Sequence, residues 1–166
     1  PPDCPQVPPK GAFPDGRGGH VLRLGLPYEE VVRSLREIRS ELGRGDIRGF
    51  SDMTVEEIAR LTGLPRAAAH RAARREYDEP FVWNGAGEGD LDLLHRAAQH
   101  RGLEVTAGGR LLHLFGGCDK GMAVSLLADW FRAERPGART AGLGDSPNDL
   151  PMLAQVDDPV LVRSSR

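Results

Sequence analysis

A mixed α/β fold is what this sequence predicts, on three observations. Val31, Leu35, Ile38 and Leu42 step by four, three and four, the repeat of a helix with one apolar face. Leu103-Glu104-Val105-Thr106-Ala107 alternates, Gly108-Gly109 supplies a two-residue turn, and Arg110-Leu111-Leu112-His113-Leu114 runs back as the second arm of a hairpin. Near the C-terminus a short apolar run ending at Leu143 leads into Gly144-Asp145-Ser146-Pro147-Asn148-Asp149, and Pro151 marks the first turn of a following helix.

The remaining elements follow in order. Residues 1–19 are rich in proline and glycine with little apolar period, so they read as irregular. His20 to Leu24 alternates enough for a short strand. Pro27 then starts the first helix and Gly43 stops it, with Glu29, Glu30, Arg33, Arg36, Glu37 and Arg39 on a solvated face. Asp46 to Phe50 is extended. Thr54 and Glu57 make a capping box for a helix that Gly63 ends, and Pro65 starts another reaching about Arg75. Glu79 to Trp83 is a strand, with Pro80 favouring an edge or a strand start. Asp90 caps a helix through Arg101 with Leu91, Leu94 and Ala98 inward, and Asp119 caps another from Lys120 to about Glu134, with Ala123, Leu127, Trp130 and Phe131 on one side. Val160 to Val162 is the last strand.

Composition sets outer limits. A chain of 166 residues, 39% hydrophobic, can bury a core, while 21 Gly and 13 Pro make it loop-rich. A net charge of −2 gives no bulk attraction to nucleic acid or to an anionic membrane. Cys4 and Cys118 lie far apart without metal-type spacing, so a reducing cytoplasm is the expected compartment. No long apolar run, signal peptide or lipidation motif is present.

Chemistry concentrates in the Gly144–Asp149 loop. Two carboxylates, a hydroxyl and an amide within five residues suit a hard cation such as Mg²⁺, for which Asp145 is the natural ligand. Ser146, Asn148 and Asp149 would orient that ligand, hold a bound water or tie down the loop; the same residues also make an ordinary turn and helix cap. Lys120 opposes the macrodipole in a first helical turn, so it either faces solvent or meets an anion. Gly109 lets an anion approach the backbone closely, and the guanidinium of Arg110 beside it suits a carboxylate or phosphate. His113 is read either as a packed strand histidine or as a ligand. Residues 54–75 also have the look of a helix-turn-helix with Arg66, Arg71, Arg74 and Arg75 available to phosphates, although Ala67-Ala68-Ala69 offers nothing to base edges.

The order Asp119-Lys120-Gly121, helix, short strand, Gly144-Asp145-Ser146-Pro147-Asn148-Asp149 resembles the last two motifs of the haloacid-dehalogenase (HAD-like) phosphatases. Within them, Gly49-Phe50-Ser51-Asp52-Met53-Thr54, Leu61-Thr62-Gly63-Leu64, Arg75-Glu76-Tyr77-Asp78-Glu79-Pro80-Phe81 and Gly108-Gly109-Arg110 with His113 are similar to strings of the mannosyl-3-phosphoglycerate phosphatase family. The resemblance implies a partial HAD-like parallel-sheet core from residues 1–20 and 115–166, with an α+β substrate-specificity cap at residues 21–114. It also implies a Mg²⁺-dependent phosphatase, with Asp145 on the metal and Lys120 on the transferring phosphate. Gly109, Arg110 and His113 would bind substrate, Arg110 at its glycerate end, and a glycosylglycerate solute would be released. Glu76 or Glu79 would face sugar hydroxyls or else be paired surface carboxylates.

One expected motif has no counterpart. The superfamily's nucleophile sits in an Asp-x-Asp after the first strand, whereas the one such string here, Asp90-Leu91-Asp92, follows a glycine-rich stretch rather than an apolar strand. The sequence thus reads as the C-terminal part of such an enzyme, inactive alone, with a sugar-phosphate-binding fragment as the alternative to catalysis.

Overall fold

The fold is described from a computed structural model over residues 8–108 and 110–163. The chain divides into a continuous unit, Gly25–Gly117, and a split unit, Pro1–Leu24 with Cys118–Arg166. Both helices and sheets are present in a mixed α/β arrangement. Gly109, expected to contact substrate, and Cys4 lie outside the described residues.

In the split unit, β1 (Phe13–Pro14) pairs antiparallel with β2 (His20–Val21). The strand expected to reach Leu24 stops at Val21, because its partner is only two residues long. Asp15 Oδ1 closes the turn between them by accepting the Arg17 N–H at 2.7 Å and the Gly19 N–H at 2.8 Å.

The continuous unit begins with α1 (Tyr28–Glu41), which buries Val31, Val32, Leu35 and Ile38. β3 (Ile47–Gly49) leads through a single 3₁₀ turn, Phe50–Asp52, to α2 (Val55–Thr62). The Thr54 hydroxyl accepts the Glu57 N–H while the Glu57 carboxylate accepts the Thr54 N–H, and Gly63 ends α2 at φ 74° in the left-handed region. α3 (Arg66–Ala72) is seven residues long, its Arg66 is paired with Glu56 and its Ala69 is buried.

β4 (Asp78–Trp83), β5 (Leu103–Gly108) and β6 (Leu111–Gly116) complete an antiparallel sheet in the order β3-β4-β6-β5. β4 is interior, yet Pro80 breaks nothing there. β3 reaches only Phe81, so at Pro80 the strand is flanked by β6 alone. The hairpin register pairs Gly108 with Leu111, which takes Arg110 out of the strand.

α1 and α4 (Asp90–Gln99) cover one face of this sheet, where Val31, Leu35, Ile38, Leu94 and Ala98 pack on Ile47, Phe81, Leu103 and Leu114. On the other face Leu111 meets a second cluster around Phe50, Ile58 and Ala69. Two readings of α4 are corrected. Gly89 holds the N-cap position, and the Asp90 carboxylate is turned back to the Gly87 N–H and the Arg44 guanidinium. Leu91 is exposed, since the helix turns Leu94, Ala97 and Ala98 to the core.

The rest of the split unit runs α5 (Lys120–Glu134), β7 (Ala141–Gly144), a 3₁₀ turn at Pro147–Asp149, α6 (Leu150–Leu153) and β8 (Asp158–Leu161). β7 and β8 are parallel, in register from Ala141↔Asp158 to Gly144↔Leu161. α5 buries Gly121 and Ala128, seven positions apart, rather than the expected stripe through Leu127, which is exposed. The cause is a close crossing: a β-carbon on Gly121 would lie 2.5 Å from the Pro151 carbonyl oxygen. Leu143 is 65% exposed and Leu161 69%.

Candidate active site

Two turns of backbone bring the loop and the helix start of the split unit together. Asp119 Oδ1 accepts the Met122 N–H at 2.7 Å, which fixes Lys120 as the first residue of α5. From there the Lys120 ammonium donates to Asp149 Oδ1 at 2.5 Å, so the lysine meets an anion, and that anion is a residue of the Gly-Asp loop. Gly144 makes this possible. A β-carbon there would stand 2.5 Å from the β-carbon of Asp149, so any larger residue at the end of β7 pushes the carboxylate away.

Asp149 organises the loop through its other oxygen. Oδ2 accepts the Asp145 N–H at 3.1 Å, the Ser146 N–H at 3.2 Å and the Ser146 hydroxyl at 2.8 Å. The Ser146 Oγ also lies 2.5 Å from Asn148 Oδ1, and its single proton serves one acceptor at a time. The Lys120 ammonium, then Ser146, then the Asp145 N–H hold the Asp149 carboxyl far below the usual carboxylate range despite its burial. Asp149 therefore stays ionised as the counter-ion of Lys120, a role that the spacing of a loop aspartate and a lysine 29 residues upstream does not reveal.

Asp145 is turned outward and exposed. Its backbone is pinned by Asp149, so its carboxylate projects from a fixed point beside the Lys120–Asp149 pair. Among the described residues no three His, Cys, Asp or Glu side chains gather as a metal centre. With Asp149 committed to Lys120 and backbone donors, the loop offers a single available carboxylate. By themselves these residues do not fit a resident Mg²⁺, which needs more oxygen ligands than one side chain gives.

The other expected site residues belong to the continuous unit. Arg110 is exposed at the tip of the β5–β6 hairpin. His113 is half-buried on β6, and its Nδ1 lies 2.9 Å from Asp78 Oδ2. Asp78 also takes the Arg75 guanidinium in a fork, Nε at 2.9 Å and Nη2 at 2.5 Å from Oδ1. Burial raises the Asp78 carboxyl, and the bonds from His113 and Arg75 more than reverse it, leaving it lowered. Asp78 was not singled out in the sequence, although Arg75 and Asp78 stand three apart in one string.

Glu79, expected either to face sugar hydroxyls or to be a paired surface carboxylate, is fully buried. Its oxygens accept the Tyr28 hydroxyl at 2.5 Å and the Ser51 N–H at 2.8 Å. Burial, then the bond to Glu79, pushes the Tyr28 phenol up.

No family model matches the chain. A glucosyl-3-phosphoglycerate/mannosyl-3-phosphoglycerate phosphatase of Persephonella marina is 42% identical over 146 residues, 86% of this chain and 52% of that protein. A mannosyl-3-phosphoglycerate phosphatase of Pyrococcus furiosus is 34% identical over 147 residues, 88% of this chain and 57% of that protein. The chain thus spans about half the length of the curated relatives it matches. In structure it is similar to a Bacteroides thetaiotaomicron protein studied among phosphatases of the HAD superfamily, at a TM-score of 0.52 and 20% identity, covering 86% of this chain and 62% of that one, which supports the fold. Over the residues they share, the chain is similar to mannosyl-3-phosphoglycerate phosphatases.

Proposed function

We propose that this chain supplies the phosphate-neutralising and substrate-selecting parts of a phosphoric monoester hydrolase acting on mannosyl-3-phosphoglycerate or its glucosyl counterpart. The observation that carries the reading is Lys120 held at the start of α5 against Asp149, with the exposed Asp145 anchored beside it through the same carboxylate. Hydrolysis of a phosphate monoester depends mainly on neutralising charge around the transferring group. A half-exposed ammonium already oriented by a buried carboxylate can swing to a phosphate oxygen at little ordering cost. The relatives' names supply the substrate class. Arg110, exposed at its turn, has the chemistry to take a carboxylate in a two-point grip.

Asp145 is the carboxylate of the loop that Lys120 and the backbone donors leave available to a cation. The attacking carboxylate is not assigned within the chain. Asp90, in the one Asp-x-Asp, is engaged by Arg44 and the Gly87 N–H at the start of α4.

Calorimetric titration with mannosyl-3-phosphoglycerate tests the reading. Binding is expected to weaken about tenfold in Lys120→Met, and comparably when the phosphate is removed from the ligand. Equal affinity for the phosphorylated and dephosphorylated ligands would sink it. Phosphate release by the 166 residues alone is expected to stay at background; Asp145-dependent turnover would overturn the assignment of the attacking group elsewhere.

A further inference from the structure

One edge of the four-stranded sheet is left unguarded. β5 ends the order β3-β4-β6-β5, and its register with β6 runs without a bulge from Leu103↔Gly116 to Gly108↔Leu111. The opposite edge, β3, is three residues long and carries an exposed Arg48, whereas β5 is six residues long and holds neither a basic residue nor a proline. Shortness, charge and proline are the usual protections of a strand edge.

Which backbone groups β5 turns outward follows from its partner strand. Gly116 gives its carbonyl to the Leu26 N–H, away from β5, so Leu103 across from it also points away. Pro80 agrees: lacking an N–H, it stands opposite His113, in the alternate position of the β4–β6 ladder that needs no bond. Directions alternate along a strand, so Leu103, Val105 and Ala107 turn N–H and C=O to the outside, where no described segment bonds them. Leu103 is 1% exposed and closed off, which leaves Val105, 6% exposed, and the exposed Ala107. These two are symmetric about Thr106.

That symmetry suits a second copy of the same strand. Antiparallel pairing about a two-fold axis at Thr106 sets Val105 of each copy against Ala107 of the other in a doubly hydrogen-bonded pair, and Thr106 against itself. No like charges face each other. Glu104 falls opposite Gly108 of the second copy, and the diagonal position beyond is Arg110, within reach of a long side chain. Glu104 and Arg110 are both exposed, and neither has an ion pair among the described residues. Beside the start of β5, an open groove of about 400 Å³ lined by His95, Gln99, Gly102 and Glu104 leaves room for the incoming hairpin end. We propose that two copies of this chain associate edge to edge through β5, antiparallel and centred on Thr106, joining their sheets into one, with Glu104 of each copy meeting Arg110 of the other. A guanidinium has donors enough for this carboxylate and for that of a ligand.

Sedimentation of the full chain tests the proposal. The wild type is expected to form a dimer whose share rises with concentration, and to do so equally in a Leu143→Glu, Leu161→Lys background, where the apolar ribbon of the split unit no longer contributes. Thr106→Lys sets like charges against each other at an exposed position and should weaken the dimer about tenfold with the circular dichroism unchanged; Thr106→Glu should do the same, and an equimolar mixture of the two should pair again. Under mild oxidation Thr106→Cys should cross-link the copies, while Glu104→Cys, whose two sulfurs would stand about 13 Å apart along the strands, should add nothing to the wild-type level. A wild type that stays monomeric at every concentration, or a dimer indifferent to Thr106→Lys, would overturn the proposal. Cross-linking by Glu104→Cys in place of Thr106→Cys would overturn its register.

Discussion

A carboxylate with no exposed surface needs donors, and Glu79 finds two from distant parts of the chain. Tyr28 at the start of α1 gives its hydroxyl, and Ser51 in the turn after β3 gives its N–H. Among the described residues no basic side chain is hydrogen-bonded to it, so these two bonds offset its dehydration. Tyr28→Phe leaves one oxygen of a buried carboxyl group without its donor and is expected to cost about 1–3 kcal/mol, read as a lower urea midpoint with an unchanged slope. Tyr28 and Glu79 are 51 residues apart, and no local pattern connects them, which is why the sequence does not show that Glu79 is buried. Lys120 and Asp149 show the same limit: each residue was legible as chemistry, but their pairing depends on Gly144 admitting the aspartate beneath the strand end.

Local rules did better at the level of whole elements. The Thr54–Glu57 capping box, the glycine stop at Gly63 and the α1 stripe rest on neighbours within a few residues, and each was found where the sequence put it. Thr54→Ala is expected to cost about 1 kcal/mol by freeing the Glu57 N–H, measurable as faster hydrogen exchange in α2. Acid should act on the same cap. The Thr54 N–H, then Arg48, then the Thr54 hydroxyl hold Glu57 at about 2 against an ordinary 4.5. A depressed carboxyl stabilises the folded state above its unfolded value, so protection of the α2 amides should be complete above pH 4.5 and fade as pH falls toward 2. Arg48→Ala should narrow that window. α5 escaped the same logic because its contact is made by its smallest residues, Gly121 and Ala128, while a hydrophobic period counts the large ones.

Across the whole molecule, the continuous unit was the easier to read, since its sheet is antiparallel and its hairpin turn pairs consecutive strands. The split unit joins β7 to β8 through a crossover, and the neighbours of such a pair are set by chain elements far away. The two strands carry Leu143, Val160 and Leu161 into solvent, and Val162 follows them exposed. Replacing both leucines in a Leu143→Glu, Leu161→Lys variant is expected to lower light scattering at high protein concentration and reduce fluorescence of a dye that reports apolar surface. A parallel ribbon of this kind also has outer backbone edges that no described strand covers. It behaves as a template, so the purified chain should foul vessel walls and lose monomer on storage, and cold, dilute, mildly alkaline handling will decide whether any of the titrations above can be read.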